Sequence, residues 1–235
     1  MTTPDPTDAM LVSVTDTRVQ TLTLRVSTKF RFQAGQYLKI VHGSGVLIPL
    51  SIATAPHRLP ELHLHYQSTS APEARLIDEM LAASKQGSCE FNLCGPFGDV
   101  ILGSVQHEPL LLIAGGTGAA QAAGFIDQMA ISPPEHKVTV LLCADTDADL
   151  YLRAWLDNLD APWLEAVFIA DARRTPDNQS LIWLETQAET LNDHRIVLSG
   201  SPGFVYAAAD TLTRSGIAES ALESDVFAYS NHPDT

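Results

Sequence analysis

Apolar and polar residues alternate in short runs along the first hundred residues of the chain. Such alternation places one face of a segment in a core and the other toward solvent, which is typical of β-strands. Turn-forming residues separate the runs. The predicted strands cover residues 10–15, 21–26, 36–41, 48–53, 61–67 and 88–93, with one helical stretch at 72–83. Six short strands at this spacing predict a small six-stranded antiparallel β-barrel.

From residue 108 the pattern changes to continuous apolar runs that alternate with helical segments. The predicted strands are 110–114, 138–142, 166–170 and 195–198, and the predicted helices are 119–129, 148–159, 179–190 and 204–214. Apolar strands alternating with helices predict a doubly wound α/β domain, in which helices cover both faces of a parallel sheet. The last apolar run, 225–229, is predicted to form a terminal strand or a tail. We therefore predict two domains, 1–106 and 107–235.

Charge and cysteine content narrow the classes of function. The chain has 28 acidic against 14 basic residues, a net charge of −14, which disfavours binding to nucleic acid or to an anionic membrane. The first ten residues lack the pattern of a signal peptide, and no apolar stretch reads as a membrane span. Three cysteines cannot form a disulfide framework, so we expect a cytoplasmic protein.

No metal site is expected from the histidines and cysteines. His63 and His65 lie two apart on a predicted strand with Glu61 in the same row, a spacing that can bind a metal ion. Three ligands along one strand rarely converge on one ion, so exposed strand positions are the preferred interpretation. Cys89 and Cys94 are five apart on a predicted strand and would point to opposite faces, which excludes a shared metal or iron–sulfur cluster.

A glycine loop, Gly115-Gly116-Thr117-Gly118, connects the first strand of the α/β half to its first helix. Glycines let the backbone approach a pyrophosphate, and the helix N-terminus offers unpaired N–H groups and partial positive charge. The alternative is a tight turn without a ligand. The position of the loop after the first strand favours dinucleotide binding.

Seven motifs, in order, resemble those of the ferredoxin–NADP reductase family, and in particular its small NAD(P)H:flavin oxidoreductases. They are Phe-Gln-Ala-Gly-Gln-Tyr at 32–37, Ile-Pro-Leu-Ser-Ile-Ala at 48–53, Gly-Pro-Phe-Gly at 95–98, the glycine loop at 115–118, Asp-Leu-Tyr at 149–151, Ser-Gly-Ser-Pro at 199–202 and Val-Phe-Ala-Tyr at 226–229. The resemblance implies a barrel that binds FAD or FMN and an α/β domain that binds NADH or NADPH. It also implies hydride transfer from the nicotinamide to the flavin.

The resemblance assigns roles to individual residues. Ser51 would orient the flavin and Ser199 the nicotinamide, as the two catalytic residues. The remaining cofactor-binding positions are Pro49, Leu50 and Ile52 for the flavin, and Gly115, Gly116, Thr117, Gly118, Asp145 and Gly200 for the dinucleotide. Phe227 and Tyr229, two apart on an extended segment, would share a face and cover the flavin ring, or else a last strand would bury Phe227 in the α/β domain.

The chain departs from the family at three of these positions. Ile48 occupies the place of the arginine that holds the flavin phosphate, Leu50 that of an aromatic residue, and Ser199 that of a cysteine. Without the arginine we expect weak, exchangeable flavin binding, which Ile48→Arg would tighten.

Asp145 follows the second strand of the α/β half, where a carboxylate can accept a hydrogen bond from the adenine ribose. With Asp147 and Asp149 close behind, the sequence predicts NADH in preference to NADPH. The alternative is that Asp145 caps the following helix.

Three functions remain open from the sequence. The chain could act as a flavin reductase, or as an electron-transfer component for an oxygenase or iron–sulfur protein partner. It could also be a non-catalytic nucleotide-binding subunit. Neither the final acceptor nor the oligomeric state follows from the residues.

Overall fold

The structure is a computed structural model that describes residues 7–15, 18–41, 47–67, 75, 78–80, 82, 90–103, 108–171 and 178–232. The chain divides into two compact units. The first holds the residues up to Ile101 together with Ala123–Gln128, and the second holds Leu102–Ala122 together with the chain from Met129 onward. The predicted boundary between 106 and 107 falls at residues outside the described ranges and stays a prediction.

The first unit is built on a six-stranded antiparallel sheet in the order β4-β3-β6-β1-β2-β5. An antiparallel bridge between Ile52 and Leu64 joins the end of β4 to β5, so the sheet closes into the predicted barrel. Apolar residues from every strand fill its core, among them Leu24, Leu38 and Leu93. The strands are β1 (Thr7–Val14), β2 (Gln20–Val26), β3 (Tyr37–Val41), β4 (Leu47–Ser51), β5 (Glu61–Tyr66) and β6 (Glu90–Phe97).

The strand predictions for this unit are confirmed in number, with two clear differences in extent: β1 begins at Thr7 rather than at residue 10, and β6 extends further. β6 was expected to end at 93 but runs on to Phe97. Gly95 permits this, because it has a φ of +136° and a Cβ there would lie 2.8 Å from the Leu38 side chain. Of the predicted helix at 72–83 the structure describes only residues 75, 78–80 and 82, all helical.

The second unit is a five-stranded parallel sheet in the order β11-β10-β7-β8-β9, with helices between its strands. This is the predicted doubly wound α/β arrangement. The strands are β7 (Leu110–Gly115), β8 (Val138–Cys143), β9 (Leu164–Ile169), β10 (Arg195–Ser199) and β11 (Leu222–Glu223). The helices are α1 (Ala119–Ile131), α2 (Arg153–Asp157), α3 (Gln179–Gln187), α4 (Pro202–Arg214) and α5 (Val226–Tyr229).

Two predicted elements of this unit are wrong in kind or length. The helix expected at 148–159 is a 3₁₀ turn at Asp147–Asp149 followed by the five-residue α2. The terminal strand or tail expected at 225–229 is the short helix α5, and the strand that joins the sheet is the two-residue β11. Within the described part of the chain, no helix is long and apolar enough to span a membrane.

Candidate functional site

The glycine loop lies at the point where the strand order of the parallel sheet reverses. From β7 the chain proceeds to β8 and β9 on one side and then crosses to β10 and β11 on the other. Ligands of open α/β sheets bind outside the carboxyl ends of the strands at this point. Residues Gly116–Gly118 form a 3₁₀ turn there and lead directly into α1, a helix of 13 residues.

The end of β10 and the first turn of α4 pack closely on the loop, which disfavours a side chain at two of its positions. A Cβ on Gly118 would lie 2.5 Å from the backbone of Ser199 and Gly200. A Cβ on Gly115 would lie 2.7 Å from the ring of Phe204. Gly200 itself has a φ of +144°, a conformation that favours glycine. The structure thus brings five of the predicted dinucleotide residues, 115–118 and 200, into one place.

Ser199 joins the two segments through its side chain. It is 9% exposed at the end of β10, and its hydroxyl lies 3.0 Å from the Gly118 carbonyl oxygen and 3.4 Å from that of Ile113. The predicted nicotinamide-facing hydroxyl is therefore engaged with the protein backbone.

Two helices begin at this edge of the sheet, because β7 and β10 are adjacent and parallel. α1 starts after β7 and α4 after β10, and each has 13 residues. The positive ends of both helix dipoles lie at this edge, and residues 115–121 and 199–204 contain no acidic side chain. The arrangement suits an anion such as a pyrophosphate.

Asp145 is exposed just beyond β8, the strand beside β7. It does not cap a helix, since the residue at the start of the following 3₁₀ turn is Thr146, so that alternative is wrong. The charge of Asp147 is partly offset by Arg153, whose Nη1 lies 2.9 Å from its Oδ1. Asp145 is thus a solvent-facing carboxylate at the end of a central strand.

The proposed flavin motif on β4 has its apolar side chains in the barrel. Ile48, Leu50 and Ile52 are 2%, 9% and 0% exposed and belong to the barrel core. Pro49 is exposed and Ser51 is half-buried. The Ile48 side chain therefore lies in the barrel core, and an arginine at this position would have to leave the core to reach a flavin phosphate. A flavin at this strand would meet Leu50 and Ile52 through their backbone and Pro49 and Ser51 through their side chains.

The histidines of β5 differ from the expected exposed positions. His65 is 7% exposed and His63 is half-buried. Burial, aided by the neighbouring His63, lowers the pKa of His65 to about 4. Three successive residues, 64–66, are buried, so both faces of the sheet are covered at this end of the strand. The described residues contain no cluster of three or more histidine, cysteine or acidic side chains that could hold a metal ion.

The aromatic residues near the C-terminus do not share a face as predicted, because they lie on a helix. Phe227 and Tyr229 are two apart on α5, which places them on roughly opposite sides. The ring of Phe227 packs against Tyr206 of α4 at 5.5 Å between centroids. Tyr229 is 64% exposed. Asp225, just before α5, accepts a hydrogen bond from Gln121 in the first turn of α1.

An ion pair that the sequence analysis missed fixes the chain after the flavin motif. Asp127 accepts from the Ala55 amide at 2.9 Å and from Arg58 Nη2 at 2.7 Å, all within the first unit. The signal was present in the sequence, since Asp127 is the one charged residue between Ala119 and Ile131. A lone carboxylate in an apolar helix indicates a buried partner.

Comparisons with known proteins agree with this architecture. No protein-family model matches the chain. It is 28% identical over 222 residues to the terephthalate 1,2-dioxygenase reductase component 1 of Comamonas, covering 92% of this chain and 65% of that protein. It is 28% identical over 209 residues to the NAD(P)H-flavin reductase of Vibrio harveyi, covering 84% of this chain and 87% of that protein. The chain therefore spans just under two thirds of the dioxygenase component.

The fold also matches solved structures. A ferredoxin NADP⁺ reductase from Neisseria gonorrhoeae, solved with bound FAD and NADP, superposes with a TM-score of 0.72 at 15% identity, covering 94% of this chain and 98% of that one. An identity this low shows the fold alone. The chain thus shares the fold of a ferredoxin–NADP reductase, and in sequence it is similar to flavin reductases and dioxygenase reductase components.

Proposed function

We propose that the chain is an oxidoreductase that takes a hydride from NAD(P)H and passes it to a flavin. The glycine loop carries the proposal, because its close packing against β10 leaves two helix N-termini at one sheet edge for a pyrophosphate. The reductase names of the similar proteins support the same chemistry. We place the protein in the cytoplasm, since Cys94 and Cys143, the cysteines that the structure describes, are both free thiols.

The chain's own residues would bind and position the cofactors. Gly116–Gly118 and the first turn of α1 would hold the pyrophosphate, and Asp145 the adenine ribose. Ser51, half-buried at the end of β4, has a hydroxyl that can hydrogen-bond a flavin. The nicotinamide supplies the hydride and the flavin accepts it, so the protein needs no acid–base pair.

Anaerobic mixing of NADH, flavin and protein tests this function directly. Loss of the oxidised-flavin absorbance at a rate proportional to protein concentration is the expected result. Gly118→Ala should weaken NADH binding about tenfold or more, because the new Cβ would meet the backbone of Gly200. Gly103→Ala is the control, since a Cβ on Gly103 would meet nothing within 4 Å, although its φ of +75° favours glycine. A protein that binds NADH and leaves flavin oxidised would instead be a non-catalytic nucleotide-binding subunit.

The flavin is proposed to be weakly held and exchangeable. The position of the family arginine holds Ile48, which is buried in the barrel and offers no charge to a phosphate. A charge-assisted phosphate contact contributes about 1.5–3 kcal/mol, or roughly ten- to a hundredfold in affinity. Purified protein should therefore be nearly colourless, and stoichiometric FAD or FMN retained through gel filtration would contradict the proposal.

NADH is proposed as the preferred coenzyme, because Asp145 is exposed where the adenine ribose would lie and would repel a 2′-phosphate. Solvent screening reduces the preference to roughly five- to tenfold in kcat/KM. Asp145→Asn should lower the ratio of kcat/KM for NADH to kcat/KM for NADPH, whereas the substitution of another exposed aspartate, Asp157→Asn, should leave this ratio unchanged. An unchanged ratio in Asp145→Asn, or equal kcat/KM for both coenzymes in the original protein, would exclude this role.

A second candidate function is electron transfer to an oxygenase or iron–sulfur protein, which the match to a dioxygenase reductase component favours. The two functions differ in their dependence on free flavin. A flavin reductase shows saturation with added flavin, whereas an electron-transfer component reduces an iron–sulfur acceptor with flavin supplied at one equivalent. Reduction of a dioxygenase ferredoxin under that condition, faster than reduction of free flavin, would establish the second function.

A further inference from the structure

We infer that Ser199 is a positioning residue that fixes the glycine loop by donating its hydroxyl proton to the Gly118 carbonyl, so that this proton is not available to the nicotinamide. The inference deepens the proposed function and rests on it. It also changes the role that the sequence gives to this residue, from a group at the reacting ring to a support of the pyrophosphate site.

The geometry around Ser199 commits its only hydroxyl proton. The oxygen of Gly118 lies 3.0 Å away, and that of Ile113 is more distant at 3.4 Å. The residue is only 9% exposed. If the hydroxyl proton pointed away from both carbonyls, a buried hydrogen bond would be lost. The hydroxyl therefore donates to Gly118 rather than outward.

Gly118 is the residue whose position decides how the first turn of α1 faces a ligand. It is the N-cap of α1, and its carbonyl belongs to the first turn of that helix. The Ala119 N–H already bonds the carbonyls of Gly116 and Thr117, so a pyrophosphate would be bound by the loop before α1 and by the positive end of the helix dipole. The same glycine touches the backbone of Ser199 and Gly200, so the hydrogen bond and the close packing act on one residue. Loss of the hydroxyl leaves the packing and removes the directional contact.

Two ligands separate the two roles of Ser199. ADP-ribose has the pyrophosphate and both riboses but lacks the nicotinamide. If Ser199 holds the loop, Ser199→Ala should weaken ADP-ribose and NADH by the same factor, about three- to tenfold by calorimetry. The KM for NADH should rise by a similar factor while kcat stays near that of the original protein. The ligand affinities of Ser199→Cys should lie between those of the original protein and those of Ser199→Ala, because a thiol is a weaker hydrogen-bond donor than a hydroxyl.

A matched control separates positioning from general loss of stability. Thr211 is also a buried hydroxyl that donates to a backbone carbonyl, that of Ala207 at 2.8 Å, and it lies in α4 two turns beyond its start. Thr211→Val should lower thermal stability as Ser199→Ala does and leave both ligand affinities unchanged.

The contrary results are distinct. Loss of NADH affinity or of kcat in Ser199→Ala with unchanged ADP-ribose affinity would show that Ser199 acts at the nicotinamide and would overturn the inference. Unchanged affinity for both ligands would overturn it as well. Failure of the original protein to bind either ligand would overturn the proposed function and, with it, this inference.

Discussion

At the scale of single residues, the buried His65 makes the stability of the barrel depend on pH. Its pKa is about 4 in the folded protein, because burial and the nearby His63 disfavour its charge, whereas an unfolded histidine titrates near 6.5. The stabilisation is complete above about pH 6.5 and is lost as pH falls toward 4, where the unfolded chain binds the extra proton. The free energy of unfolding should fall by about 3 kcal/mol across this window.

Urea unfolding of His65→Gln and of the original protein at a series of pH values measures this effect. The variant should lose most of the pH dependence between about pH 6.5 and 4. His57→Gln, which replaces an exposed histidine of the same unit, is the control and should keep it. An identical slope in the original protein and in His65→Gln would show that His65 is not the titrating group.

Ile48 carries a second prediction, which reverses the expectation from the sequence. Because its side chain is 2% exposed in the barrel core, Ile48→Arg would bury an unpaired charge and should lower the free energy of unfolding by several kcal/mol. Ile48→Val should cost only about 0.5–1.5 kcal/mol. Urea unfolding with FAD titration measures both. A stable Ile48→Arg protein that binds FAD more tightly would mean that this position faces the cofactor after all.

At the scale of elements, Asp127 holds the segment after β4 against residues 123–128 of α1. Burial opposes its ionisation, but hydrogen bonds from Arg58 and the Ala55 amide outweigh it, so the pKa of Asp127 is lowered from 3.8. The stabilisation is therefore complete above about pH 4 and is lost as pH falls below it. Asp127→Asn should reduce the free energy of unfolding near pH 7 by about 2 kcal/mol, measured in urea.

Arg58→Gln separates the two contacts of Asp127. The Arg58 side chain is 57% exposed, so its ion pair is screened and should contribute less than about 1 kcal/mol. The Ala55 amide, by contrast, is buried and loses a charged acceptor in Asp127→Asn. The larger effect is therefore expected for Asp127→Asn. Equal losses in both variants would mean that the Arg58 ion pair accounts for the whole interaction.

The sequence predicts elements well where one periodicity dominates. The alternation in β2 and β5 and the apolar runs of β7, β8 and β10 locate these strands within one or two residues, because burial sets their pattern. Prediction from the sequence fails where local backbone geometry sets the length of an element. Residues 148–159 read as one helix, yet the 3₁₀ turn at Asp147–Asp149 interrupts it, and β11 at two residues is too short for any periodicity.

The candidate site shows the same division. Gly115–Gly118 and Gly200 could be found from sequence, since a glycine loop between strand and helix has a physical reason. The direction of the Ser199 hydroxyl could not, because it depends on two carbonyls, of Gly118 and Ile113, that are remote in sequence. The burial of His65 could not be predicted either. Alternating apolar and polar residues indicate a sheet with one covered face, whereas both faces are covered at this end of β5.

At the scale of the whole molecule, the net charge of −14 bears on which flavin the proposed reductase would accept. A strongly acidic protein repels anionic ligands unless local cations offset its field. The proposed flavin motif itself offers no such cation, since Ile48 and Pro49–Ile52 are uncharged, and the ammonium of Lys39, the cross-strand neighbour of Pro49, lies over the Phe97 ring. FMN carries a phosphate and riboflavin does not, although both present the same ring. The protein should therefore use riboflavin at a lower KM than FMN when salt is low.

Ionic strength tests this expectation with riboflavin as the internal control. The Debye length falls from about 30 Å at roughly 0.01 M salt to about 8 Å at roughly 0.15 M. With NADH held saturating, this change should lower the KM for FMN about two- to threefold and leave that for riboflavin unaltered. Because one protein, one coenzyme and one flavin ring are compared, the difference isolates the phosphate. A KM for FMN that rises with salt would instead reveal a local cationic site that outweighs the acidic field.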